Sequence, residues 1–129
     1  MSLEHISEMD RNTFADVLKN NDNSVVVFKF TANWCGPCKK IAPLITERVA
    51  AIKETYSNFI YTEVDVDEAF DLYAFLRRKK MVTSIPTMLM YLPGNQDIFP
   101  DDSHNGSDEK ATSMFFGRVA EHLSKMGQN

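Results

Sequence analysis

The chain has 129 residues, of which 43% are hydrophobic and 25% are charged, as in ordinary soluble globular proteins. This length suits one domain, and we expect residues 1–129 to form it. A net charge of −4 argues against a general nucleic-acid binder, which needs a broad basic face. No segment approaches the roughly 18 apolar residues that cross a bilayer, so no membrane association is expected.

The N-terminal segment Met1–Glu8 has no basic region followed by an apolar run, so it does not resemble a secretory signal. The longest apolar run, Val25–Phe28, has the length of a strand. We therefore expect a cytoplasmic protein in a reducing compartment.

The first half of the chain predicts a helix, a strand and a second helix. Asp10–Asn20 begins with a residue suited to cap a helix and carries one apolar face. Ser24–Thr31 is rich in β-formers without polar alternation, as a central strand covered on both faces requires. A helical pattern follows as far as Ile52, in which Pro37 suits the first turn and Pro43 should produce a kink.

The second half of the chain predicts two strands and two helices. Phe59–Val66 predicts a strand, Asp67–Lys80 a helix and Ile85–Leu92 a strand. The polar stretch Asn95–Lys110 predicts a loop, with at most a short edge strand around Ile98–Phe99, before a C-terminal helix. This order of elements predicts an α/β fold, an open sheet with helices on both faces.

Cys35 and Cys38 are the only cysteines. A disulfide scaffold would scatter its cysteines along the chain, and a structural zinc site needs about four ligands. The three histidines do not have the spacing that would complete a zinc site with this pair, so we expect no metal: His5, His104 and His122.

The spacing of the two cysteines suits thiol chemistry. Where a strand turns into a helix, a Cys-x-x-Cys places the first thiol at the helix N-terminus and the second one turn inside. Unpaired backbone N–H groups and the helix dipole favour a thiolate there, which makes Cys35 the expected nucleophile. Cys38 would then attack the mixed disulfide and release the reduced partner. The alternative is a buried or incidental cysteine pair without a redox role.

The segment Phe30–Lys39 resembles the active-site stretch of the thioredoxin family, residue for residue across Trp-Cys-Gly-Pro-Cys. Pro43 lies where that family kinks its active-site helix. Thr62–Asp67 is similar to the central strand of eukaryotic thioredoxins, and Ser84–Thr87 is similar to their cis-proline loop. The resemblance covers about Ser24–Leu92 well and the two ends only in element order.

This resemblance implies a thioredoxin fold, with a central mixed sheet of four to five strands flanked by four helices. It also implies a protein dithiol–disulfide oxidoreductase, an electron carrier that a thioredoxin-reductase-like donor reduces and that passes electrons to disulfide-containing target proteins. The two cysteines are the redox group, so no bound cofactor is expected. We expect a monomer.

The resemblance also assigns residues to the substrate groove. Pro86 should follow a cis peptide bond and lie against the cysteines, with the backbone of Ile85 pairing to an extended substrate segment. Trp34 and Pro37 would form an apolar rim on which partners dock, although Trp34 could equally be a simply packed amphipathic ring. The Gly36–Pro37 pair favours a reducing over an oxidising role.

One position departs from the family. Thioredoxins usually carry a buried aspartate six residues before the first cysteine, and this chain has Lys29 there. Either the aliphatic stem of Lys29 packs in the fold while its amine reaches the surface, or the whole side chain is buried. If buried, its charge would favour thiolates nearby, or its neutral amine would accept a proton. We hypothesise a charge-swapped pair of Lys29 with Glu63 beneath Cys38, in which Glu63 is a candidate proton acceptor.

Two insertions also distinguish the chain. The third helix extends to the basic run Arg77–Lys80, which either complements the helix dipole or steers acidic partners. The segment 96–108 replaces a tight hairpin, and no residue clearly substitutes for the family's groove-lining glycine. Asp101–Gly106 half-matches a calcium loop but lacks the bidentate glutamate, so a surface loop is the simpler interpretation.

These departures leave a second function open. A thioredoxin-fold binding or scaffold module with slight redox activity would also accommodate Lys29 and a remodelled loop. Reduction of a disulfide substrate that depends on Cys35 distinguishes the two functions.

Overall fold

A computed structural model describes residues 9–127. The N-terminal segment Met1–Glu8, predicted not to be a secretory signal, lies outside the described residues. The elements, in chain order, are α1 (Arg11–Lys19), β1 (Val25–Thr31), α2 (Gly36–Thr55), β2 (Phe59–Asp65), α3 (Phe70–Arg78), β3 (Thr87–Tyr91), β4 (Asp102–Asn105) and α4 (Glu109–Met126).

The four strands form one mixed sheet in the order β2-β1-β3-β4. β1 pairs in parallel with β2 and antiparallel with β3, and β4 pairs antiparallel with β3 at the edge. The apolar run of β1 is therefore central, with neighbours on both sides, as its lack of polar alternation predicts. This sheet with four helices confirms the predicted α/β architecture.

Alternate residues of β1 point into two separate cores, one on each face of the sheet. On one face Phe28 packs with Phe14 of α1 and Tyr91 of β3, their ring centroids 4.7 to 5.8 Å apart. On the other face, the cluster that contains Val25 and Val27 packs against α2 and α4. With a layer of helices on each face, the sheet has no solvated side in its centre.

The edge strand lies elsewhere than the sequence predicts. Ile98 and Phe99 form bends, and the strand is Asp102–Asn105. An apolar pair favours a strand locally, but Pro100 follows it and cannot donate a ladder hydrogen bond. β4 forms because β3 offers a free edge to pair with, which local sequence does not reveal.

The third helix is shorter than predicted. It begins at Phe70, because the preceding residues turn around the Asp65 carboxylate, which accepts from the backbone N–H groups of Asp67 and Glu68. It ends at Arg78, and the chain then turns with Lys80 at φ 60°. The predicted range, Asp67–Lys80, also includes the turns that precede and follow this helix.

Helix α2 runs from Gly36 to Thr55 and continues through Pro43. Its 20 residues include too many polar positions to span a bilayer, and no helix within residues 9–127 is long and apolar enough to cross a membrane.

His104 on β4 links the edge of the sheet to α4. Its Nε2 lies 2.9 Å from the Thr112 hydroxyl, and its ring stacks on Phe115 with centroids 6.1 Å apart. Partial burial, followed by the positive charge of Arg118, lowers the pKa of His104 from 6.5, and the nearby carboxylates of Asp102 and Asp108 only partly oppose this. Folding therefore favours the neutral imidazole.

This imidazole predicts a pH dependence of stability. Well above pH 6.5 the histidine is neutral in both states; as the pH falls through 6.5, the unfolded chain takes up the proton first, so stability decreases. We expect the H104Q variant to show a shallower decline in unfolding free energy between pH 7.5 and 5, measured by urea denaturation of the oxidised protein. An equal decline in both proteins would contradict this assignment.

Candidate active site at the N-terminus of the second helix

The two cysteines lie where β1 has ended and α2 begins. Cys35 is the N-cap of α2, and its Sγ accepts a hydrogen bond of 3.1 Å from the backbone N–H of Cys38. Cys35 and Cys38 are joined by a disulfide, and both residues are buried, at 4% and 2% exposure. Pro37 lies in the first helical turn, where the donor that it lacks would have no intrahelical partner.

This geometry suits reversible dithiol chemistry. A donor that points at Cys35 Sγ and the positive end of α2 both stabilise negative charge on that sulfur once the disulfide opens. One helical turn keeps the second sulfur within bonding distance of the first. Gly36 and Pro37 between them are exposed, so the pair lies just beneath an accessible surface.

The loop before β3 lies against the pair. The Ile85–Pro86 peptide bond is cis, as the family resemblance implies, and the Ile85 carbonyl oxygen lies 3.9 Å from Cys35 Sγ. Pro86 is buried and Ile85 is half-buried. Within residues 9–127, no backbone–backbone hydrogen bond involves Ile85, which leaves its peptide groups available to a bound segment.

Two hydrogen bonds at Ser84 hold the loop before β3 in place. The Thr87 hydroxyl donates to the Ser84 carbonyl at 2.5 Å, and the Asn105 amide donates to the Ser84 hydroxyl at 2.9 Å. The loop is thereby tied both to its own strand and to β4, so the Ile85 backbone is positioned without any partner protein.

Gly106 lies against the cis-proline. Its backbone N–H donates to the Pro86 carbonyl at 2.9 Å, and its φ of 102° is one that residues with a side chain rarely adopt. The structure thus places one glycine against the cis-proline, where the sequence showed no clear replacement for the family's groove glycine. The Asn105–Gly106 dipeptide was the available signal, since such pairs are typical of tight turns.

Trp34 stands beside the pair with 65% of its surface exposed. Its indole Nε1 donates to the Asp67 carboxylate at 2.8 Å, and the Asp65 carboxylate in turn accepts from the Asp67 backbone at 2.8 Å. A large aromatic side chain held by its polar end exposes its apolar body, which suits a contact surface better than a core. The sequence did not single out Asp67.

Lys29 and Glu63 lie opposite each other on adjacent strands. Lys29 is 3% exposed, and its Nζ lies 3.5 Å from Glu63 Oε2. The distance is long for a hydrogen bond, so the contact is an ion pair between a buried amine and a carboxylate that is 40% exposed. Of the two fates considered for Lys29, the structure shows the buried one.

Tyr61 completes this cluster and was missed by the sequence analysis. Its hydroxyl donates to Glu63 Oε2 at 2.8 Å, and burial, followed by the negative charge of Glu63, raises the pKa of Tyr61 far above its ordinary value. The phenol therefore remains a hydrogen-bond donor at any physiological pH. The i,i+2 spacing with Glu63 on one strand was the available signal.

A groove of about 260 Å³ connects this charged cluster with the second cysteine. Its lining includes Lys29, Glu63 and Cys38 together with polar side chains such as Asn33 and Thr46. Solvent can therefore approach Cys38 from the side of the sheet that carries the ion pair.

The acidic loop does not assemble a metal site. Within residues 9–127, no group of three or more histidine, cysteine, aspartate or glutamate side chains could hold a metal ion. Asp101 accepts from the Leu92 backbone and the Asn95 amide, and Asp102 pairs with Arg118 at 2.6 Å. These carboxylates already bind partners within the fold, and the segment that contains them forms β4 rather than the surface loop that the sequence predicted.

Comparison with known proteins agrees with this geometry. The sequence model of the family described as Thioredoxin matches residues 5–114. The thioredoxin of Ictalurus punctatus is 38% identical over 106 residues, which cover 82% of this chain and 88% of that protein. The thioredoxin of Equus caballus is 38% identical over 109 residues, covering 84% of this chain and 93% of that protein.

Solved structures show the same fold. A thioredoxin from Plasmodium falciparum is 28% identical and superimposes with a TM-score of 0.64, covering 89% of this chain and 97% of that one. A thioredoxin from Fasciola hepatica is 22% identical with a TM-score of 0.68, covering 90% and 98%, and supports the fold alone.

The site and these relatives lead to one function. The redox-active Cys35–Cys38 disulfide makes the protein a thiol–disulfide oxidoreductase, whose partners are disulfide-containing proteins and a reductase-type donor. This chain, with its Trp-Cys-Gly-Pro-Cys site and its cis-proline loop, belongs to the thioredoxin family.

Proposed function

We propose that Cys35 is the nucleophile and Cys38 the resolving cysteine of this exchange. The Cys35 thiolate attacks one sulfur of the target disulfide, forms a mixed disulfide and releases the other sulfur as a thiolate. Cys38 loses its proton and attacks Cys35 Sγ, so the target leaves as a dithiol and the protein becomes the disulfide. Two electrons pass to the target for each Cys35–Cys38 bond formed.

The hydrogen bond from the Cys38 N–H to Cys35 Sγ carries this assignment. Only the N-cap sulfur receives a backbone donor at the positive end of α2, so negative charge is best stabilised on Cys35. A neutral thiol is a poor nucleophile, so the sulfur with more thiolate character attacks first.

We assign substrate binding to the surface around Cys35. The Ile85 backbone, next to Pro86 and close to Cys35 Sγ, would pair with an extended segment of the target that carries the disulfide. The exposed ring of Trp34 would contact apolar side chains of that segment. Gly36 and Pro37 would let the partner backbone approach, because no large side chain stands between the cysteines.

We assign a modulating role to Lys29 and Glu63. The Lys29 charge lies beside the groove that Cys38 lines and favours the reduced, thiolate-bearing state, while Glu63 balances that charge. Glu63 would accept the Cys38 proton through solvent in the groove, because it is the more exposed member of the pair. This pair would replace the aspartate of other family members.

The exchange also needs an electron donor. A thioredoxin-reductase-like enzyme would regenerate the dithiol, so the protein would serve in electron transport within a reducing cytoplasm. Residues 1–129 would act as a single-domain monomer, since the reaction needs no second chain.

The assignment of Cys35 predicts the outcome of two serine substitutions. With a dithiol donor and an insulin substrate, C35S should reduce insulin no faster than the donor alone. C38S should instead accumulate a stable mixed disulfide with its substrate, detectable by mass spectrometry, because the second attack is lost. A C35S variant that retains full turnover would rule out Cys35 as the nucleophile, whereas a wild type without turnover would favour the binding-module function.

The role of the charged pair predicts opposite shifts of the reduction potential. K29M removes positive charge near Cys38 and should lower the potential by about 10–30 mV, since 30 mV corresponds to about 1.4 kcal/mol for this couple. E63Q leaves Lys29 unbalanced and should raise the potential by a similar amount.

Equilibration with glutathione, followed through Trp34 fluorescence, measures these potentials. Y61F is the matched control, because it removes the hydrogen bond to Glu63 and leaves both charges in place. Equal potentials in wild type, K29M and E63Q would refute the electrostatic role.

A further inference from the structure

The C-terminal end of α3 carries an unbalanced positive patch. Arg77, Arg78, Lys79 and Lys80, named here the α3 basic cluster, are all exposed in a chain of net charge −4. Among residues 9–127, none of these four side chains forms an ion pair within 4.0 Å. The Asp71 carboxylate is near enough to Arg78 to interact with it electrostatically, but its hydrogen-bonded partner is Arg11 at 2.8 Å.

Aromatic neighbours hold part of the cluster against the helix surface. Arg77 lies over the Tyr73 ring at 5.6 Å and donates to its hydroxyl at 3.2 Å, while Lys79 lies over the Phe75 ring at 5.8 Å. Such contacts orient the stems without neutralising their charge. The four charges therefore remain available to an external anion.

Lys80 occupies a position that favours glycine. The Lys80 N–H donates to the Arg77 carbonyl at 3.0 Å and the Met81 N–H donates to the Leu76 carbonyl at 2.9 Å, which together close the helix in a Schellman motif. The motif requires a left-handed residue, and Lys80 has φ 60°. Closure of the helix thus requires this backbone conformation, but it does not require a lysine. Any residue with a Cβ has a conformational cost at this φ.

The α3 basic cluster is close to the substrate groove along the chain. Only four residues lie between Lys80 and Ile85, so the two Cα atoms are at most about 18 Å apart. At the other end of α3, Asp67 binds Trp34, and the exposed Phe70 lies on the same helical stripe as Arg77, seven residues later. A bound segment of about five or six extended residues covers the distance from Ile85 to the cluster.

We propose that the α3 basic cluster binds acidic residues that flank the disulfide of a target protein. Opposite charge identifies the partner: a carboxylate-rich segment complements four unpaired cations next to the groove. At physiological salt the Debye length is about 8 Å, so the carboxylates must lie on the bound segment itself. The proposal rests on the disulfide exchange described above and adds a substrate preference to it.

Two synthetic peptides test this preference. Both contain the same cystine ring; one carries four acidic residues beside it and the other carries four serines. Single-turnover reduction by the reduced protein, followed through Trp34 fluorescence, should be roughly tenfold faster for the acidic peptide at 10 mM salt. The difference should vanish at 1 M salt, where the Debye length is about 3 Å. Equal rates at low salt would overturn the proposal.

Charge-matched variants locate the effect. R77Q/R78Q should lose most of the preference, whereas K19Q/K110Q, which removes two exposed charges elsewhere, should retain it. Equal losses in both variants would show an effect of net charge alone and refute the assigned surface. If neither peptide is reduced by the wild type, the exchange function itself fails, which is a different result from equal reduction of both.

The Lys80 substitution separates recognition from a structural role. K80G relieves the left-handed strain and should raise the thermal midpoint, while it weakens the preference for the acidic peptide about twofold. A purely structural lysine would leave the preference unchanged while the midpoint rises, which would contradict a recognition role for this residue.

Discussion

The burial of β1 on both faces is the constraint on which the remaining structure depends. Val25–Phe30 are shielded from solvent, and β1 is hydrogen-bonded on both sides. A shift by one residue would move Lys29 into the core that holds Phe28 and Phe30, so the strand has a single tolerable register. The chain passes from the end of this strand to Cys35. The position of the redox pair is therefore set by the packing of β1, whose residues are not catalytic.

The same register places charge beneath the site. β2 pairs in parallel with β1, which sets Glu63 directly beside Lys29 and brings Tyr61 to the same carboxylate. A buried amine requires such a partner, because an uncompensated charge away from water is costly. The groove beside Cys38 keeps this pair in contact with solvent, which is the basis of the modulating role proposed for it.

Chemistry and recognition come from different parts of the fold. In the proposed exchange the N-terminus of α2 activates Cys35, an effect that depends only on secondary structure. The surface proposed to bind a partner combines the cis-proline loop, Trp34 and α3, which the chain brings together from distant positions. Changes in the latter surface can therefore alter the choice of target without disturbing the thiol chemistry.

The sequence by itself determined the central strand, the helix that follows it and the redox pair between them, because each depends on local patterns: an apolar run, a helical period and a Cys-x-x-Cys spacing. The tertiary structure alone decided the contacts between distant segments. It placed β4 at Asp102–Asn105 and Gly106 beside Pro86, because the free edge of β3 selected its partner from a polar loop. It also added Tyr61 and Asp67 to the site, since a hydrogen bond between side chains requires a geometry that only the folded chain provides.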